Sequence, residues 1–192
     1  MEAREIIDEV THLLGDKAFE KIAAKVDANE EVGADEQKKI NRLISGLNIA
    51  VDTIASRYYM NIKEVQVVTG IDSRVEYAAL DERVYEILEV TDDSGAKVEF
   101  YSLPFSLYLP KAKAKYRVKF KFLPRKVENL SDAVEILPFV PLSAIAYLMV
   151  SDILLAKNLY DESKYWFTRF ESIMTQAVSS RRMRSLGVNR LL

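Results

Sequence analysis

The residue types that support catalysis are sparse in this chain of 192 residues. It has no cysteine, which excludes disulfides and thiolate chemistry, and its one histidine, His12, has no second histidine with which to share a zinc ion. No serine lies in a recognisable nucleophile motif, and none of the glycines forms a phosphate-binding loop. The residue types therefore predict a protein that is not an enzyme and that needs no metal or cofactor.

Neighbouring carboxylates are the remaining candidates for acid–base or metal chemistry. Asp92 with Asp93, and Glu30 with Glu31, occur in turn and linker contexts, where solvation explains them. Asp152 interrupts an apolar stretch, and a buried carboxylate needs a partner to offset its desolvation. We therefore expect Asp152 to form a salt bridge or to lie at an exposed edge.

A row of basic residues is the most distinctive charged feature of the chain. In the stretch "PKAKAKYRVKFKFLPRK", cations fall at every second position with apolar or aromatic residues between them. The cations are Lys111, Lys113, Lys115, Arg117, Lys119 and Lys121. Successive side chains of a strand point to opposite faces, so the aromatic set packs on the core and the cations form one outward row. The pattern predicts a half-buried strand whose basic face contacts another subunit or DNA.

Several partners remain open for this basic row. Glu86, Glu89 and Glu99 on neighbouring candidate strands can neutralise part of it within the sheet. Binding of single-stranded nucleic acid requires unpaired cations with aromatic side chains beside them, and here the aromatic side chains point the other way. An acidic protein partner and passing duplex DNA both remain possible. A nucleic-acid-binding module that uses the basic strand 111–121 is the alternative function.

The elements that must position these residues fall into three blocks. Residues 1–60 show helical periodicity, including a long helix from 35 to about 59. Residues 62–124 change to period two, with turn signals between short runs rich in valine, tyrosine and phenylalanine. Residues 131–178 return to helix and include the apolar helix 142–157. The order of the blocks is helices, strands, helices.

Because the strands form one block and do not alternate with helices, the predicted fold class is α+β. We expect a helical bundle with a long central helix, an inserted antiparallel β-sheet of four to five strands, and a single domain over 1–178. Residues 179–192 are basic, contain no acid and are predicted to form an extended C-terminal arm. The most apolar stretch falls short of the roughly 20 residues that a membrane-spanning helix needs, so no membrane partner is expected.

The block from Arg83 to Met174 resembles the head-to-tail adaptor, or connector, proteins of tailed bacteriophages. In that family an alternating strand and a proline lead through a loop with a "leLP"-like motif into an apolar helix, a short break and a final helix with spaced aromatic residues. Here these features read "YRVKFKFLPRKVENLSDAVEILPFVPLSAIAYLMVSDILLAKNLYDESKYWFTRFESIM", with Glu135–Pro138 at the loop motif. Trp166 and Phe170 are the spaced aromatic residues, and the small residue that the family carries early in the last helix is Ser163.

This resemblance implies a structural virion protein of the head–tail neck, assembled in the cytoplasm of the host bacterium. It implies a homo-oligomeric ring, commonly of twelve subunits, that docks on the portal protein, binds further neck or tail proteins and lets duplex DNA pass through. C-terminal extensions dock on the portal, and the matching extension here is 179–192. Its candidate portal contacts are Arg181, Arg182, Arg184, Leu186, Arg190, Leu191 and Leu192.

Overall fold

The computed structural model describes residues 1–28, 30–80 and 82–187. Over these residues the chain is α+β, as predicted, with helices towards both ends of the sequence and antiparallel strands between them. It divides into two compact units: residues 1–54 together with the described residues from 126 onward, and residues 55–125. The prediction of a single domain over 1–178 did not include this division, in which a strand unit is inserted into a helical unit.

The helices follow the predicted order, and the two helices predicted at 35 to about 59 and at 142–157 lie within about one residue of those bounds. They are α1 (Ala3–Leu13), α2 (Lys17–Asp27), α3 (Ala34–Tyr58), α4 (Leu142–Ala156) and α5 (Tyr160–Gly187). A capping box starts α1, because Glu2 and the N3 residue Glu5 exchange side-chain to backbone hydrogen bonds. Asp16 caps α2 by accepting a hydrogen bond of 3.3 Å from the N–H of Phe19. These local signals explain where the first two helices begin.

The long helix is present, but it is not the centre of one bundle. α3 covers the predicted stretch, and its apolar positions Ile40, Ile44, Leu47, Val51 and Ile54 are buried. The closest helix packing joins α4 to α5 and α1 to α4. The boundary between the two compact units falls within the last turns of α3, after residue 54. The period of the sequence predicted the helix correctly, whereas its central position was wrong.

The packing of α4 on α5 depends on two small polar residues. Ser151 of α4 and Ser163 of α5 are both buried, and each hydroxyl donates to the other residue's carbonyl oxygen, at 3.0 Å and 2.9 Å. Reciprocal hydrogen bonds satisfy both hydroxyls, so neither polar group is buried without a partner. Ser163, the small residue of the resemblance, therefore lies at the α4–α5 contact.

The segment between the strand unit and α4 has no helix, although the predicted helical block began at residue 131. Its backbone instead serves the start of α1: the N–H groups of Ala3 and Arg4 donate to the carbonyls of Asp132 and Leu130, both at 2.9 Å. The first N–H groups of a helix have no partner within the helix and need external acceptors. Supplying those acceptors is a reason for this segment to stay irregular.

The strands form two small sheets and not one. The strands are β1 (Asn61–Val68), β2 (Arg74–Glu76), β3 (Arg83–Asp92), β4 (Tyr101–Ser102), β5 (Ser106–Tyr108) and β6 (Lys115–Leu123). One antiparallel sheet has the order β1-β6-β3, and the other has the order β2-β5-β4. The predicted single sheet of four to five strands is therefore wrong in size, although the antiparallel pairing is correct.

The extended C-terminal arm is contradicted over part of its length. α5 continues through residues 179–187 and ends at Gly187, so this part of the predicted arm is helical. Arginine, methionine and leucine are good helix formers, and no proline or glycine interrupts the sequence between Tyr160 and Gly187. Residues 188–192, which include the remaining predicted arm contacts, lie outside the described residues.

One side chain fixes the chain where it re-enters the helical unit. The amide of Asn48 on α3 donates to the carbonyl of Val127 at 2.9 Å and accepts from the N–H of Val127 at 2.8 Å. This paired geometry satisfies both backbone groups of a residue whose side chain is buried. Asn48 therefore does for Val127 what a neighbouring strand would do.

We predict that Asn48→Leu lowers the free energy of unfolding by about 2 kcal/mol, because it leaves two partly buried backbone groups without partners. Asn41→Leu, at an exposed position of α3, is the matched control and should change the free energy of unfolding by less than about 0.5 kcal/mol. Urea unfolding followed by circular dichroism measures both. Equal effects of the two substitutions would contradict the role given to Asn48.

Candidate interaction surfaces

Of the neighbouring carboxylates considered for chemistry, Asp92 has a structural role, and Asp93, Glu30 and Glu31 are exposed. Within the described residues, no cluster of three or more histidine, aspartate or glutamate side chains could hold a metal ion. His12 lies exposed in the last turn of α1. Asp92 accepts hydrogen bonds from the Ser94 hydroxyl and from the N–H of Ala96, and these hold the pKa of its carboxyl below the usual range. Asp92 thus stabilises the turn that follows β3.

The basic row has the predicted alternation over residues 115–121. Tyr116, Val118 and Phe120 are buried in the core of the strand unit, while Lys115, Arg117 and Lys119 are exposed. The row lies on the middle strand of its sheet, since β6 pairs with both β1 and β3. The prediction of a half-buried strand with one basic face is confirmed there.

The first two lysines of the row do not belong to the strand. Lys111 and Lys113 lie in the turn that precedes β6, and Lys113 has a left-handed φ of 52°. The N–H of Lys111 donates to the hydroxyl of Tyr116 at 3.2 Å, which closes the turn onto the strand. Alternation alone could not reveal this, because Pro110 and a left-handed residue end the extended conformation without changing the pattern of residue types.

Glutamates neutralise only one end of the basic row. The Nζ of Lys121 lies 2.6 Å from a carboxylate oxygen of Glu86, its register partner on β3. Lys97, at 2.9 Å, and then the more distant Lys119 lower the pKa of Glu89. Glu99, the third predicted acid, lies in the loop before β4 and outside the β6 sheet. Lys113, Lys115 and Arg117 are therefore less neutralised than Lys121, while the positive charge of Lys111 acts partly on Asp92, whose pKa it helps to lower.

The predicted portal contacts are distributed over a helix end and the part of the chain beyond it. Arg181, Arg182, Arg184 and Leu186 belong to the last turns of α5. Arg190, Leu191 and Leu192 lie outside the described residues. The helical spacing of the first group places Arg181 and Arg184, three positions apart, on neighbouring positions of one helix face.

An apolar groove lies on the helical unit between α3 and the C-terminal half of α4. Its floor is formed by Leu43 of α3 with Met149 and Ile153 of α4, and it encloses a cavity of about 380 Å³. Leu14 and Ala156 complete its walls. We call these five residues the α4 groove. No sequence pattern predicted it, because its residues come from α3, from α4 and from the residue that follows α1, which are distant in the sequence.

Charged side chains surround the α4 groove. Lys39 and Asp16 form an ion pair of 2.6 Å at one side. Arg42 and Lys157 also line the groove, both are exposed, and neither has an ion-pair partner among the described residues. Asp152 lies at an exposed edge, which is one of the two expected alternatives, and partial desolvation by neighbouring atoms raises the pKa of its carboxyl. The groove therefore has apolar lining residues bordered by two cations, Arg42 and Lys157, and by one acid, Asp152, in addition to the Lys39–Asp16 ion pair.

A group of aromatic residues marks a second surface of the helical unit. The rings of Tyr147 and Trp166 lie 5.0 Å apart, and those of Tyr165 and Trp166 lie 5.3 Å apart. The guanidinium carbon of Arg169 lies within 5.3 to 5.9 Å of the three ring centroids. Of the two spaced aromatic residues of the last helix, Trp166 is only half-buried, while Phe170 is fully buried.

The strand unit exposes an apolar tip at the turn between β4 and β5. Pro104 and Phe105 form its two central residues, and the N–H of Leu103 donates to the carbonyl of Ser106 at 2.8 Å. The side chain of Phe105 is 84% exposed, which is unusual for a phenylalanine. We call residues 103–106 the Phe105 turn. Sequence reasoning missed it, although "LPFS", an apolar residue beside proline in a turn, was the available signal.

Comparisons with known proteins do not assign a function to these surfaces. No known protein family matches the sequence, and no curated protein matches it either. Within the described residues, none of the helices has both the length and the apolar composition needed to cross a membrane. The function must therefore be argued from the surfaces themselves.

We predict that Asp152→Asn raises the melting temperature at about pH 7. Because the pKa of Asp152 is raised in the folded state, the folded protein binds more protons than the unfolded chain between the two pKa values, and stability falls as pH rises through that interval. The advantage of the variant should vanish near pH 3, below the ordinary pKa of aspartate at about 3.9.

Differential scanning calorimetry across this pH range measures the effect. Asp93→Asn, at an exposed turn position of the strand unit, is the control for loss of one negative charge. An equal stabilisation by both variants would show that net charge, and not burial of Asp152, is responsible.

Proposed function

We propose that the chain is a non-enzymatic subunit of an oligomeric ring in the head–tail connector of a tailed bacteriophage. The ring would dock on the portal protein and link it to the tail, with duplex DNA passing through. The chain would then be a component of the virion neck. What supports this proposal is the order of features that carries the resemblance, taken together with the character of the surfaces.

The elements occur in the order that the adaptor family leads one to expect. The alternating strand β6 is followed by Pro124, by an irregular loop that contains Glu135–Pro138, and by α4. A break of three residues, 157–159, separates α4 from α5. Ser163 lies at the close contact of these helices, where a small residue is required. This ordered set is the observation on which the proposal rests.

The exposed surfaces suit assembly better than they suit catalysis. Large apolar side chains are exposed in both units, including Ile71, Phe105, Leu155 and Tyr160. Exposed apolar residues that occur in groups mark surfaces that other proteins cover. The charged rows on β6 and around the α4 groove can orient such contacts, because complementary charge contributes to the specificity of association.

The assembly can be tested by the mass of the purified protein and by its binding to portal particles. We expect light scattering to give either several times 21.9 kDa for the protein alone, or an increase of several times 21.9 kDa in the mass of portal particles. Replacing Arg181, Arg182 and Arg184 with glutamine should weaken portal binding by roughly tenfold or more, about 1.4 kcal/mol.

The matched control replaces Lys17 and Lys21 of α2, which are exposed cations in the same unit, with glutamine. A protein that stays monomeric and never joins portal particles would contradict the proposed function. If both variants lose portal binding equally, the role of the three arginines is contradicted, but the proposed function is not.

A nucleic-acid-binding module is the second candidate, because the turn before β6 and the first residues of β6 carry cations that form no ion pair with a glutamate among the described residues. Lys113, Lys115 and Arg117 form no ion pair among the described residues, whereas Lys111 lies near enough to Asp92 to lower the pKa of that carboxyl. The same cations could contact passing DNA in the ring or bind nucleic acid in its absence. Cations on phosphates release counterions, so such binding weakens steeply with added salt.

If this second function holds, replacing Lys113, Lys115 and Lys119 with glutamine should weaken duplex binding and reduce its salt dependence, by a slope of roughly one per lost phosphate contact. Lys121→Gln is the matched control, because Glu86 already pairs with this lysine. Fluorescence anisotropy over a salt series measures both. Absence of binding at low salt would exclude this candidate.

A further inference from the structure

The most exposed large apolar side chains of the strand unit lie on two neighbouring turns. The Phe105 turn is one, and residues 70–73, with Ile71 83% exposed, are the other. Gly70 and Asp72 of the second turn line one cavity of about 510 Å³ together with the Phe105 turn, whereas Ile71 is not among its lining residues. Its apolar lining residues are Leu103, Pro104 and Phe105, and exposed apolar side chains that occur in a group mark a surface that another molecule covers.

Backbone hydrogen bonds hold the Phe105 turn in place although its side chain is exposed. Besides the bond that closes the turn, the carbonyl of Phe105 accepts from the N–H of Tyr77 at 3.0 Å. Leu107, two residues later, is fully buried and anchors the strand. A side chain on a backbone that is already ordered loses little conformational freedom on binding. Phe105 is therefore preorganised as an apolar knob.

The charge beside this knob is negative. Glu76 pairs in register with Ser106 at the base of the Phe105 turn, is exposed and has no ion-pair partner among the described residues. Asp72 lies on the neighbouring turn, and its carboxylate is 3.7 Å from the Nε of Arg74. Glu76 is thus the acid beside the knob that is left for a partner.

The α4 groove has the complementary properties. Its lining residues Leu43, Met149 and Ile153 are apolar, and the charged residues beside them are the Lys39–Asp16 ion pair, Arg42, Lys157 and one acid, Asp152, so cations exceed acids by one. Arg42 and Lys157 have no ion-pair partner among the described residues. Burying an aromatic ring in such a groove removes apolar surface of both molecules from water. An acid beside the ring would then reach the cations of the rim. The same chain therefore carries a knob with an acid and a groove with cations.

We propose that the Phe105 turn of one copy seats in the α4 groove of a second copy, with Glu76 facing Arg42. A knob on one surface and a groove on a different surface make a heterologous contact, the kind that generates rings when the rotation closes. The inference rests on the proposed ring, and it names the residues through which neighbouring subunits join.

The first test measures association by light scattering, on whichever assembly the unchanged protein forms, alone or on portal particles. Phe105→Ala should weaken association by about tenfold or more, as expected for an aromatic residue at the centre of an interface. Tyr85→Ala removes an exposed aromatic residue of β3 outside the patch and is the matched control. It should leave association unchanged.

The second test exchanges the charges across the contact. Glu76→Arg and Arg42→Glu should each weaken association, because each brings like charges together. Combining the two substitutions should restore association to near the original level. Both positions are exposed and form no ion pair within the described chain, so neither variant should unfold the protein. Circular dichroism checks this point.

The third test uses the absence of cysteine from the chain. Phe105→Cys and Ala156→Cys, introduced into separate, differently tagged copies and expressed together, should form an intermolecular disulfide on oxidation. Tyr85→Cys with Ala156→Cys is the control and should give at least about tenfold less crosslinked product. Placing the two cysteines in different copies ensures that the crosslinked product is intermolecular.

The outcomes separate this inference from the proposed function. The knob-and-groove contact would be overturned if the assembly forms normally, gives no crosslink above the control, and is unaffected by Phe105→Ala and by the charge exchanges. The proposed ring would not be contradicted by that result. A protein that never assembles would overturn both. Weakening by the single charge changes with restoration in the double variant would establish the contact.

Discussion

The helix α4 is apolar on almost all sides, and the rest of the helical unit is arranged to cover it. Its buried residues include Ala144, Ile145, Leu148 and Met149, which do not share one narrow face. Such a helix must be covered from several directions. α5 covers one side through the reciprocal bonds of Ser151 and Ser163, and α1 covers another. The α4 groove lies where α3 does not fully cover α4. The need to cover an apolar helix on several sides therefore explains both the core and a groove that another molecule can occupy.

Local patterns in the sequence predicted the elements whose periodicity is strong. α3 and α4 lie within about one residue of their expected bounds, because regular spacing of apolar residues specifies a helix locally. β6 was predicted as well, since complete alternation leaves one reading for residues 115–121. The partial neutralisation of the basic face was also anticipated for Glu86, which pairs with Lys121. These features depend on residues that are close in the sequence, or on the alternation of residues between the two faces of a single strand.

The features that were missed depend on contacts between distant segments or on single backbone conformations. The strands separate into two sheets because β6 pairs with β1 and β3, while short segments pair among themselves, and composition does not specify such pairing. The left-handed φ of Lys113 ends the basic strand earlier than its residue types indicate. The basic tail continues α5 because helix formers extend it to Gly187. The α4 groove and the Phe105 turn combine residues whose proximity or exposure has no local signature.

The central claim is that further copies of the chain and adjoining virion proteins cover the exposed surfaces. An electron-microscopy image of the assembled protein tests this claim most directly. The account predicts closed rings with an axial opening wide enough for duplex DNA, either free or seated on portal particles. Single compact particles of one chain, with no ring under any condition and none on the portal, would contradict it.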